Sequence, residues 1–539
     1  MADMTTARAA KQVAKLRAAL RDREARVAEL EERLSALESS TTMQFGRAFA
    51  AAARRPARGA VRLPRQLYRL WKHRDAPQPR QAGERRAQLD LAGLPRPEDR
   101  LLLAVPSPAD GITIAGVLGP ACLAAAADCA RVVPLLPHDA TMAIDAADAD
   151  LVIIDAAAGA PGGPWAYLGE PGVYDREQAL GAVLEAARAH ELPVVMWDER
   201  VLAGEPGAAP PGLARLDWAA TAAPGVSLRR FNPVGAPARD TTPVVVEPLA
   251  APERVPLGVR RAVADIAAAI GARTVTTTPG ELPALLRRSA ITLALAPGQV
   301  PEQLAAGALV LCPRPVAERL PADLREHVYT VAEGGAARPA GGAEGTVSVA
   351  ALAAAAGGHD PRPALRTLFL RYAVPVRLAA LCEGLGLRAD PLHDRRVAVV
   401  AEAADATDAR RLAAGLLAQT HRPAEAVIGG RGAAVALAEL GERGVTARGS
   451  VDETRSAWIA PWPMRDGAPA THLVDLVCAA ECSGADAVGG TGGPHRSTAT
   501  ATPYTFVNDV EPALVRREWY IAGGLPMEWA AQGARLLSL

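Results

Sequence analysis

The sequence is poor in the features that mark nucleic-acid-binding proteins. Lys and Arg total 59 and Asp and Glu total 59, so no net charge attracts a polyanion. Aromatic residues make up 4% of the chain, which is too few for a series of base-stacking platforms. We therefore expect no nucleic-acid partner.

Cysteines and long apolar runs are also scarce. None of the 6 cysteines forms a CxxC pair or a His and Cys cluster with zinc spacing, which favours a reduced, cytoplasmic protein without a bound metal. The longest uncharged run, residues 111–127, contains glycine and proline and is shorter than the roughly 20 apolar residues that span a bilayer. The first residues lack an apolar signal core. We expect neither a membrane span nor export through a cleaved signal.

A chain of 539 residues is too long for one core, and its patterns change several times. The predicted fold class is α/β, with an N-terminal coiled-coil helix. We predict five segments: a coiled coil (residues 1–42), a basic amphipathic segment and linker (43–98), two Rossmann-like lobes (99–250 and 251–390), and another α/β domain (391–539).

The first segment has the spacing of a short coiled coil. Apolar residues follow one heptad register, interrupted only at Arg23: Val13, Leu16, Leu20, Val27, Leu30, Leu34 and Leu37. Such a seam predicts a homo-oligomer. A solitary amphipathic helix docked on the body is the alternative.

The second segment combines basic charge with apolar anchors. Over residues 43–86, Lys and Arg far outnumber the acids Asp75 and Glu84, and residues such as Phe45, Leu67 and Trp71 are interleaved with them. This pattern suits an anionic membrane surface. It predicts peripheral contact with the inner face of the plasma membrane, and a solvated basic linker is the alternative.

Short β-rich runs alternate with helical stretches in the middle of the chain, as in parallel sheets with helices on both faces. The predicted strands cover residues 101–105, 131–136, 150–155, 193–197 and 218–221, then 243–246, 274–277, 291–296, 309–312 and 328–331. Ligands of such sheets bind outside the carboxyl ends of the strands. A cleft between the two lobes is therefore the predicted site.

Two stretches carry a family resemblance. DADLVIIDAAAGAPGGPWAYLGEPG followed by ELPVVMWDER, and later SAITLALAPGQVPEQLAAGALVLCP, resemble the CgeB-type (spore maturation) glycosyltransferases of the GT-B fold. Glu302 and Gly307 match that family's helix start and turn. The resemblance implies transfer of a sugar from a nucleotide sugar to a glycan acceptor without a metal or a further cofactor.

The resemblance also implies roles for particular residues. Glu302 would accept hydrogen bonds from the ribose hydroxyls of the donor, and Trp165 and Trp197 would line the cleft. Asp198 follows Trp197 where the family has an Asn-Lys-Glu-Asp run, so the charge at the cleft mouth differs. Core packing is the alternative for each tryptophan, and stabilisation of a helix dipole is the alternative for Glu302. The catalytic residues stay unassigned.

The last segment resembles a family 2 GT-A glycosyltransferase, on RVAVVAEAADATDARRLAAGLLAQTHRPAEAVIGG, WIAPWP and HLVDLVCAAECSGADAVGG. The family's nucleoside-binding and metal-binding acids are replaced. The corresponding positions hold Glu402 and Asp405, Gly430 and Arg431, and Pro461, Trp462 and Pro463. We expect a retained fold without donor chemistry, in which Glu528 is the remaining candidate for a base and Trp458, Trp462 and Trp519 are candidates for acceptor contact or packing.

Two functions follow from these patterns. The first is a glycosyltransferase of cell-surface glycan assembly that uses the GT-B pair. The alternative is a non-catalytic scaffold that oligomerises and binds partner transferases or glycan.

Overall fold

Three β-sheets organise the part of the chain that the computed structural model describes, and the fold class there is α/β as predicted. The described residues are 111–160, 163–169, 173–204, 219–236, 239–248, 257–332, 335–341, 346–462, 468–490 and 504–539. The chain divides into two compact units, Met1–Leu94 and Pro95–Leu539, and every described residue belongs to the second. The predicted coiled coil, the basic segment and the predicted strand at 101–105 lie outside the described residues.

The first lobe is built on a parallel sheet of five strands with the order β2-β1-β3-β4-β5. The strands are β1 (Thr113–Val117), β2 (Arg131–Pro134), β3 (Leu151–Asp155), β4 (Val194–Trp197) and β5 (Ala220–Ala222). The helices are α1 (Pro120–Ala126), α2 (Ala140–Ala147), α3 (Tyr174–Ala189) and a 3₁₀ helix (Glu199–Ala203). Strand β3 is buried throughout, as expected for a central strand with both faces covered.

The second lobe contains a sheet with the order β12-β11-β10-β9-β8-β6-β7. Its strands are β6 (Val244–Pro248), β7 (Arg273–Thr277), β8 (Ile291–Leu293), β9 (Leu309–Pro313), β10 (Val328–Val331), β11 (Ala336–Pro339) and β12 (Val347–Ser348). Strands β6 to β10 are parallel and repeat the relative order of the first lobe, whereas β11 and β12 pair antiparallel. Both lobes therefore have the doubly wound arrangement.

Short helices connect these strands. They are α4 (Leu257–Ala269), α5 (Leu282–Arg288), α6 (Gln299–Ala305), α7 (Arg314–Ala317), α8 (Ala322–Arg325), α9 (Val349–Ala355), a 3₁₀ helix (Ala356–Gly358), α10 (Arg362–Thr367) and a π-helix (Leu368–Tyr372). None of the described helices, here or elsewhere, has the length and apolar character needed to cross a bilayer.

The chain crosses between the lobes at two segments that pair with each other. Val226 donates its N–H to the carbonyl of Tyr372 at 2.8 Å, and Val374 donates to the carbonyl of Val226 at 3.2 Å. A Cβ on Gly225 would lie 2.5 Å from the backbone of Val374, so the segments approach closely only because residue 225 is glycine. Helix α11 (Val374–Leu385) then packs on the first lobe, against residues such as Ile114.

The C-terminal region, residues 396–539, forms a mixed sheet with the order β15-β14-β13-β16-β19-β17-β20-β18. Its strands are β13 (Val397–Glu402), β14 (Glu425–Gly429), β15 (Thr446–Ala447), β16 (Trp458–Pro461), β17 (Ala487–Gly490), β18 (Thr505–Val507), β19 (Glu511–Arg516) and β20 (Leu536–Ser538). Its helices are α12 (Ala406–Leu417), α13 (Ala433–Gly441), α14 (His472–Ser483), α15 (Arg517–Ala522) and α16 (Pro526–Ala531), and 3₁₀ helices cover His393–Arg395, before β13, and Val451–Glu453.

One hydrophobic core joins the second lobe to the C-terminal region. Phe369 and Leu304 of the lobe belong to the same buried cluster as Trp458 and Leu476. Helix α14 is buried along nearly its whole length because the sheet covers one side and the lobe covers the other. The two regions therefore stabilise each other.

Ion pairs reinforce this junction. The guanidinium of Arg395 donates two hydrogen bonds of 2.7 Å to Glu481 and one of 2.6 Å to the carbonyl of Phe369. Arg366 of α10 binds Asp475 of α14 in the same two-pronged way, at 2.6 and 2.8 Å. Bidentate geometry fixes orientation as well as distance.

Most predicted strands of the two lobes are confirmed. Strands β2 to β10 coincide with the β-rich runs within a few residues at each end. Strand β1 was not predicted, because its sequence TIAGV mixes Ala and Gly with only three residues that favour strands. Strands β11 and β12 were also missed, since each is short and lies on the edge of the sheet.

Candidate functional site between the lobes

The ligand position expected in the first lobe is filled by an acidic side chain. The strand order reverses between β1 and β3, where doubly wound sheets bind ligands on backbone N–H groups. Here the carboxylate of Asp155 accepts hydrogen bonds from the N–H of Gly119 at 3.1 Å and of Ala157 at 2.8 Å. A phosphate would meet negative charge at this place.

A side-chain amide fills the equivalent position in the second lobe. Gln299 accepts a hydrogen bond from the N–H of Leu295 at 2.8 Å and donates one to the carbonyl of Val246 at 3.3 Å. It thereby links the ends of β6 and β8, where the strand order reverses. Residues 249–256, which follow β6, lie outside the described residues.

Glu302 lies at the boundary between the two lobes. It belongs to the first turn of α6 and is half-buried, and its carboxyl group receives no hydrogen bond from any residue in the described ranges. Its carboxyl group lines a cavity, here called the interlobe cleft, with Glu199 and Leu202 of the first lobe and Gly298 and Tyr372 of the second. A polar group in this situation is available to a ligand.

The electrostatics of the cleft favour a protonated Glu302. Burial raises the pKa of Glu302 most, the nearby carboxylate of Glu199 raises it further, and Arg230 opposes both, with a resulting pKa of about 8. Arg230 itself donates hydrogen bonds to the carbonyl of Ala121 at 3.3 Å and to that of Pro279 at 3.2 Å. Its guanidinium thus bridges the lobes at the mouth of the cleft.

The interlobe cleft is nearly closed in this structure. Its volume is about 40 Å³, whereas pockets for small-molecule ligands measure roughly 300–1,000 Å³. A nucleotide sugar would enter only after the lobes move apart. The lobes would then rotate about the paired crossing segments at Gly225.

The structure places both predicted cleft tryptophans in hydrophobic cores, which is the alternative that the sequence left open. Trp165 is 1% exposed, and its indole N–H donates to the carbonyl of Leu135 at 2.7 Å. Trp197 is fully buried among Ile114, Val195 and the residues of α11, and its N–H has no partner in the described residues. Neither ring offers a face on which a sugar could stack.

Asp198 and Gly307 have local structural roles. Asp198 is buried, accepts the N–H of Arg200 at 3.0 Å and forms an ion pair with its guanidinium at 2.9 Å, so it caps the 3₁₀ helix after β4. Gly307 ends α6 with a φ of +78°, and Arg239 donates to its carbonyl and to that of Ala306. Of the predicted site residues, only Glu302 faces the cleft.

Sequence reasoning missed several residues that shape this place. Glu199, Arg230 and Tyr372 were not singled out. Asp155 had a detectable signal, because it is a carboxylate at the carboxyl end of a buried strand. The contacts of Arg230 and Tyr372 depend on segments far apart in the chain and have no local signature.

In the C-terminal region the corresponding edge of the sheet is closed by its own loops. Ala403 donates its N–H to Gly429 at 2.9 Å, and Gly432 donates to Ala403 at 3.0 Å. Gly430 has a φ of +86°, and a Cβ there would clash with the carbonyl of Ala403. The two loops therefore pack backbone against backbone.

The remaining acidic candidates of this region cap helices or face solvent. Asp405 accepts the N–H groups of Thr407 at 2.7 Å and Asp408 at 3.0 Å, as an N-cap does. Glu528 is exposed and accepts the N–H of Leu525, the N-cap residue of α16, at 2.9 Å. Glu402 is exposed beside Gly429.

The three tryptophans of this region differ in accessibility. Trp458 is 2% exposed, with its indole N–H bound to the carbonyl of Asp394 at 2.8 Å and Arg516 stacked on the ring at 4.3 Å. Trp462 is half-buried and packs edge-on against His472. Trp519 is half-buried against a small core cluster. Only the last two offer surface to a partner.

The fold and this site define an α/β protein with two doubly wound lobes and a mixed-sheet region. The chain matches no protein-family model, and no curated protein matches it at the significance required. Within the described ranges, no group of three or more His, Cys, Asp or Glu side chains is arranged to hold a metal ion.

Proposed function

We propose that the protein is a glycosyltransferase-like protein of cell-surface glycan assembly that binds a nucleotide sugar in the interlobe cleft, between two lobes of the GT-B type. The observation that carries the proposal is the Glu302 carboxyl group. It lies at the carboxyl ends of parallel strands, beside a cavity, without a hydrogen-bond partner in the described residues. A ribose diol would supply the missing donors.

The charge around the cleft fits this role when Arg230 is included. Its guanidinium donates to backbone carbonyls of both lobes and lies 5.6 Å from the ring centre of Phe231, and it forms no ion pair with an acidic side chain in the described part of the chain. Its positive charge is therefore available to a diphosphate. Such a site uses fixed side chains rather than a metal to hold the donor. The acceptor would be a glycan, and the C-terminal region would support the lobes without binding a donor.

The test is a thermal-shift and calorimetric titration with UDP-, GDP-, TDP- and CDP-sugars. We expect one of them to raise the melting temperature of the wild type, since a ligand that binds the folded state stabilises it. Glu302→Gln should abolish the shift, and Glu402→Gln should retain it as a matched control from the C-terminal region. No shift with any nucleotide, or a shift that Glu302→Gln leaves unchanged, would refute the donor site.

A second candidate is a non-catalytic scaffold that oligomerises through the N-terminal segment and binds partner transferases or glycan. The observation that favours it is that Asp155 and Gln299 occupy backbone groups at the two strand-order reversals in the described part of the chain. A cytoplasmic location with peripheral membrane contact through residues 43–98 belongs to both proposals. Co-sedimentation with vesicles containing anionic lipid tests that contact.

A further inference from the structure

The sheet of the second lobe ends on one side in a strand with a single neighbour. Strand β7 is last in the strand order, and among the described strands it pairs only with β6. Proteins commonly block such an edge with proline, a bulge or a charged side chain. The sequence RTVTT contains no proline, its register with β6 has no bulge, and its one charge lies at the first residue, Arg273. The edge is therefore suited to pairing with another strand.

The backbone groups on the outer side of β7 belong to Thr274 and Thr276. Arg273 donates its N–H inward, to the carbonyl of Pro243 at 2.8 Å, and the backbone groups of successive residues in a strand alternate between its two sides. The first, third and fifth residues of β7 therefore bond to β6, and the N–H and C=O groups of Thr274 and Thr276 point away from it. In the described part of the chain these groups have no hydrogen-bond partner, and both threonines are exposed.

An open groove of about 640 Å³ runs between β7 and α5, and its two ends differ in charge. Arg273 and Arg288 lie at one end, where Asp240 is 3.7 Å from the guanidinium of Arg273. Glu281 lies at the other end, where it accepts a hydrogen bond from the hydroxyl of Thr278 at 2.9 Å. The groove therefore has a basic end at the start of β7 and an acidic end beyond its last residue.

We propose that β7 binds a second copy of this chain, with the two β7 strands paired antiparallel about a two-fold axis at Val275. In this register Thr274 of each copy lies opposite Thr276 of the other, so the outward N–H and C=O groups satisfy one another. The two Val275 side chains meet at the axis as a non-hydrogen-bonded pair, and the threonines form cross-strand pairs on the other face. The sheets of the two copies become one continuous sheet.

The distribution of charge favours a second copy over an unrelated peptide. Antiparallel pairing places Arg273 opposite Thr277 of the second copy, at the end of the groove that holds Glu281 of that copy. The two-fold axis repeats this contact, so opposite charges meet at both ends and no like charges lie directly opposite. An arbitrary peptide would satisfy the backbone without matching both ends. This association goes beyond nucleotide binding in the cleft and does not involve residues 1–42.

The experiment is disulfide cross-linking of the full chain with the substitution Val275→Cys. In the paired strands the two Cβ atoms at this position would lie about 4.5 Å apart, within reach of a disulfide. We expect a covalent dimer under mild oxidation. The wild type, which contains free cysteines, should not form it, and neither should Thr446→Cys, a matched control at an exposed position of the edge strand β15.

Charge reversal provides an independent check on the register. Adding Arg273→Glu to the Val275→Cys chain should slow cross-linking roughly tenfold or more, and adding Glu281→Arg as well should restore much of the rate. Circular dichroism confirms that each variant is folded.

The absence of a cross-link at position 275 in a folded chain would overturn the proposal. Hydrogen exchange of the wild type gives a second opportunity to refute it, because pairing should protect the amides of residues 274 and 276 more strongly as the protein concentration rises. Protection that does not increase with concentration would contradict pairing with a second copy.

Discussion

The interlobe cleft and the C-terminal region present the same kind of edge, the carboxyl ends of parallel strands, but they use their acidic residues differently. In the cleft, Glu302 has no hydrogen-bond donor in the described residues and its pKa is raised to about 8. In the C-terminal region, Asp405 and Glu528 cap helices. The difference teaches that acidic residues at the same kind of sheet edge can either stay without a hydrogen-bond donor beside a cavity or complete helix ends.

The two regions also differ in how much space lies at the edge of the sheet. The cleft has a cavity between two lobes, whereas the loops at Ala403 and Gly430 are joined by backbone hydrogen bonds within one sheet. A ligand could open the first by rotation of a lobe. It could open the second only by breaking the sheet edge.

The largest expected effect concerns the junction between the second lobe and the C-terminal region, where each region stabilises the other. Arg395 is 5% exposed, and Arg395→Met would leave Glu481 partly buried without its partner. We expect a loss of about 3–5 kcal/mol in the free energy of unfolding, measured with urea. The double variant Arg395→Met with Glu481→Leu should recover much of that loss.

The shared core predicts that the second lobe and the C-terminal region unfold together in this experiment. Separate transitions monitored by Trp fluorescence and circular dichroism would show that the regions are independent. The view of the C-terminal region as a support for the cleft would then fail.

The second effect concerns the crossing between the lobes. Gly225→Ala places a Cβ 2.5 Å from the backbone of Val374, which cannot move away as a side chain can. We expect a loss of about 2–4 kcal/mol in stability. Gly181→Ala on α3, where a Cβ meets nothing within 4 Å, should instead stabilise by roughly 0.5–1 kcal/mol. Equal effects of the two variants would remove the argument for a tight crossing.

The third effect is a pair of opposite pH dependences, one from each region. Burial alone would raise the pKa of Glu425, but hydrogen bonds from Ser456, Arg448 and the N–H of Arg455 outweigh it and lower the pKa. Its contribution to stability is therefore present above about pH 4.5 and is lost as the pH falls through the lowered value. Glu302 has the raised pKa, so its contribution is present below about pH 4.5 and is lost as the pH rises to about 8.

Urea unfolding at about pH 4 and about pH 8 checks this pair. Glu425→Gln should cost about 2 kcal/mol at the higher pH and less at the lower one. Glu302→Gln should add about 1–2 kcal/mol at the higher pH, a value reduced for partial exposure, and little at the lower one. The contrast between the regions would be contradicted if the effects of the two substitutions on the free energy of unfolding changed with pH in the same direction.

The smallest expected effects on stability come from substitutions of acidic residues in the C-terminal region. They test whether these residues bind a ligand or only cap helices. Asp405→Ala should lower the melting temperature slightly because an N-cap is lost. Glu402→Gln should change stability by no more than about 0.5 kcal/mol, since the side chain is exposed. If either variant removed nucleotide binding, the C-terminal region would have to be reconsidered as a donor site.

Much of the fold could be predicted from local patterns in the sequence. The run DLVIID predicts β3 because apolar and β-branched residues fill a strand covered on both faces. The run TIAGV does not stand out, although β1 lies at the centre of the first sheet. Its assignment as a strand depends on its pairing with β2 and β3, and local propensity carries no information about that pairing.

The candidate site was less predictable, because it depends on which residues meet across the molecule. The sequence identified Glu302, but it could not decide whether Trp197 faces a cleft or a core, since either position suits a large apolar ring. The pairing of Arg395 with Glu481 joins residues 86 positions apart. The sequence shows Gly430 and Arg431 directly, whereas the packing of Gly430 on Ala403 joins two segments that have no common local signature.

The central claim is that a nucleotide sugar binds in the interlobe cleft and not at the C-terminal sheet. Hydrogen exchange with and without the nucleotide sugar that gives the largest thermal shift tests it most directly. The account predicts slower exchange in residues 199–204 and 298–306, with residues 402–432 unchanged. Slower exchange in residues 402–432 with no change in the cleft would contradict it.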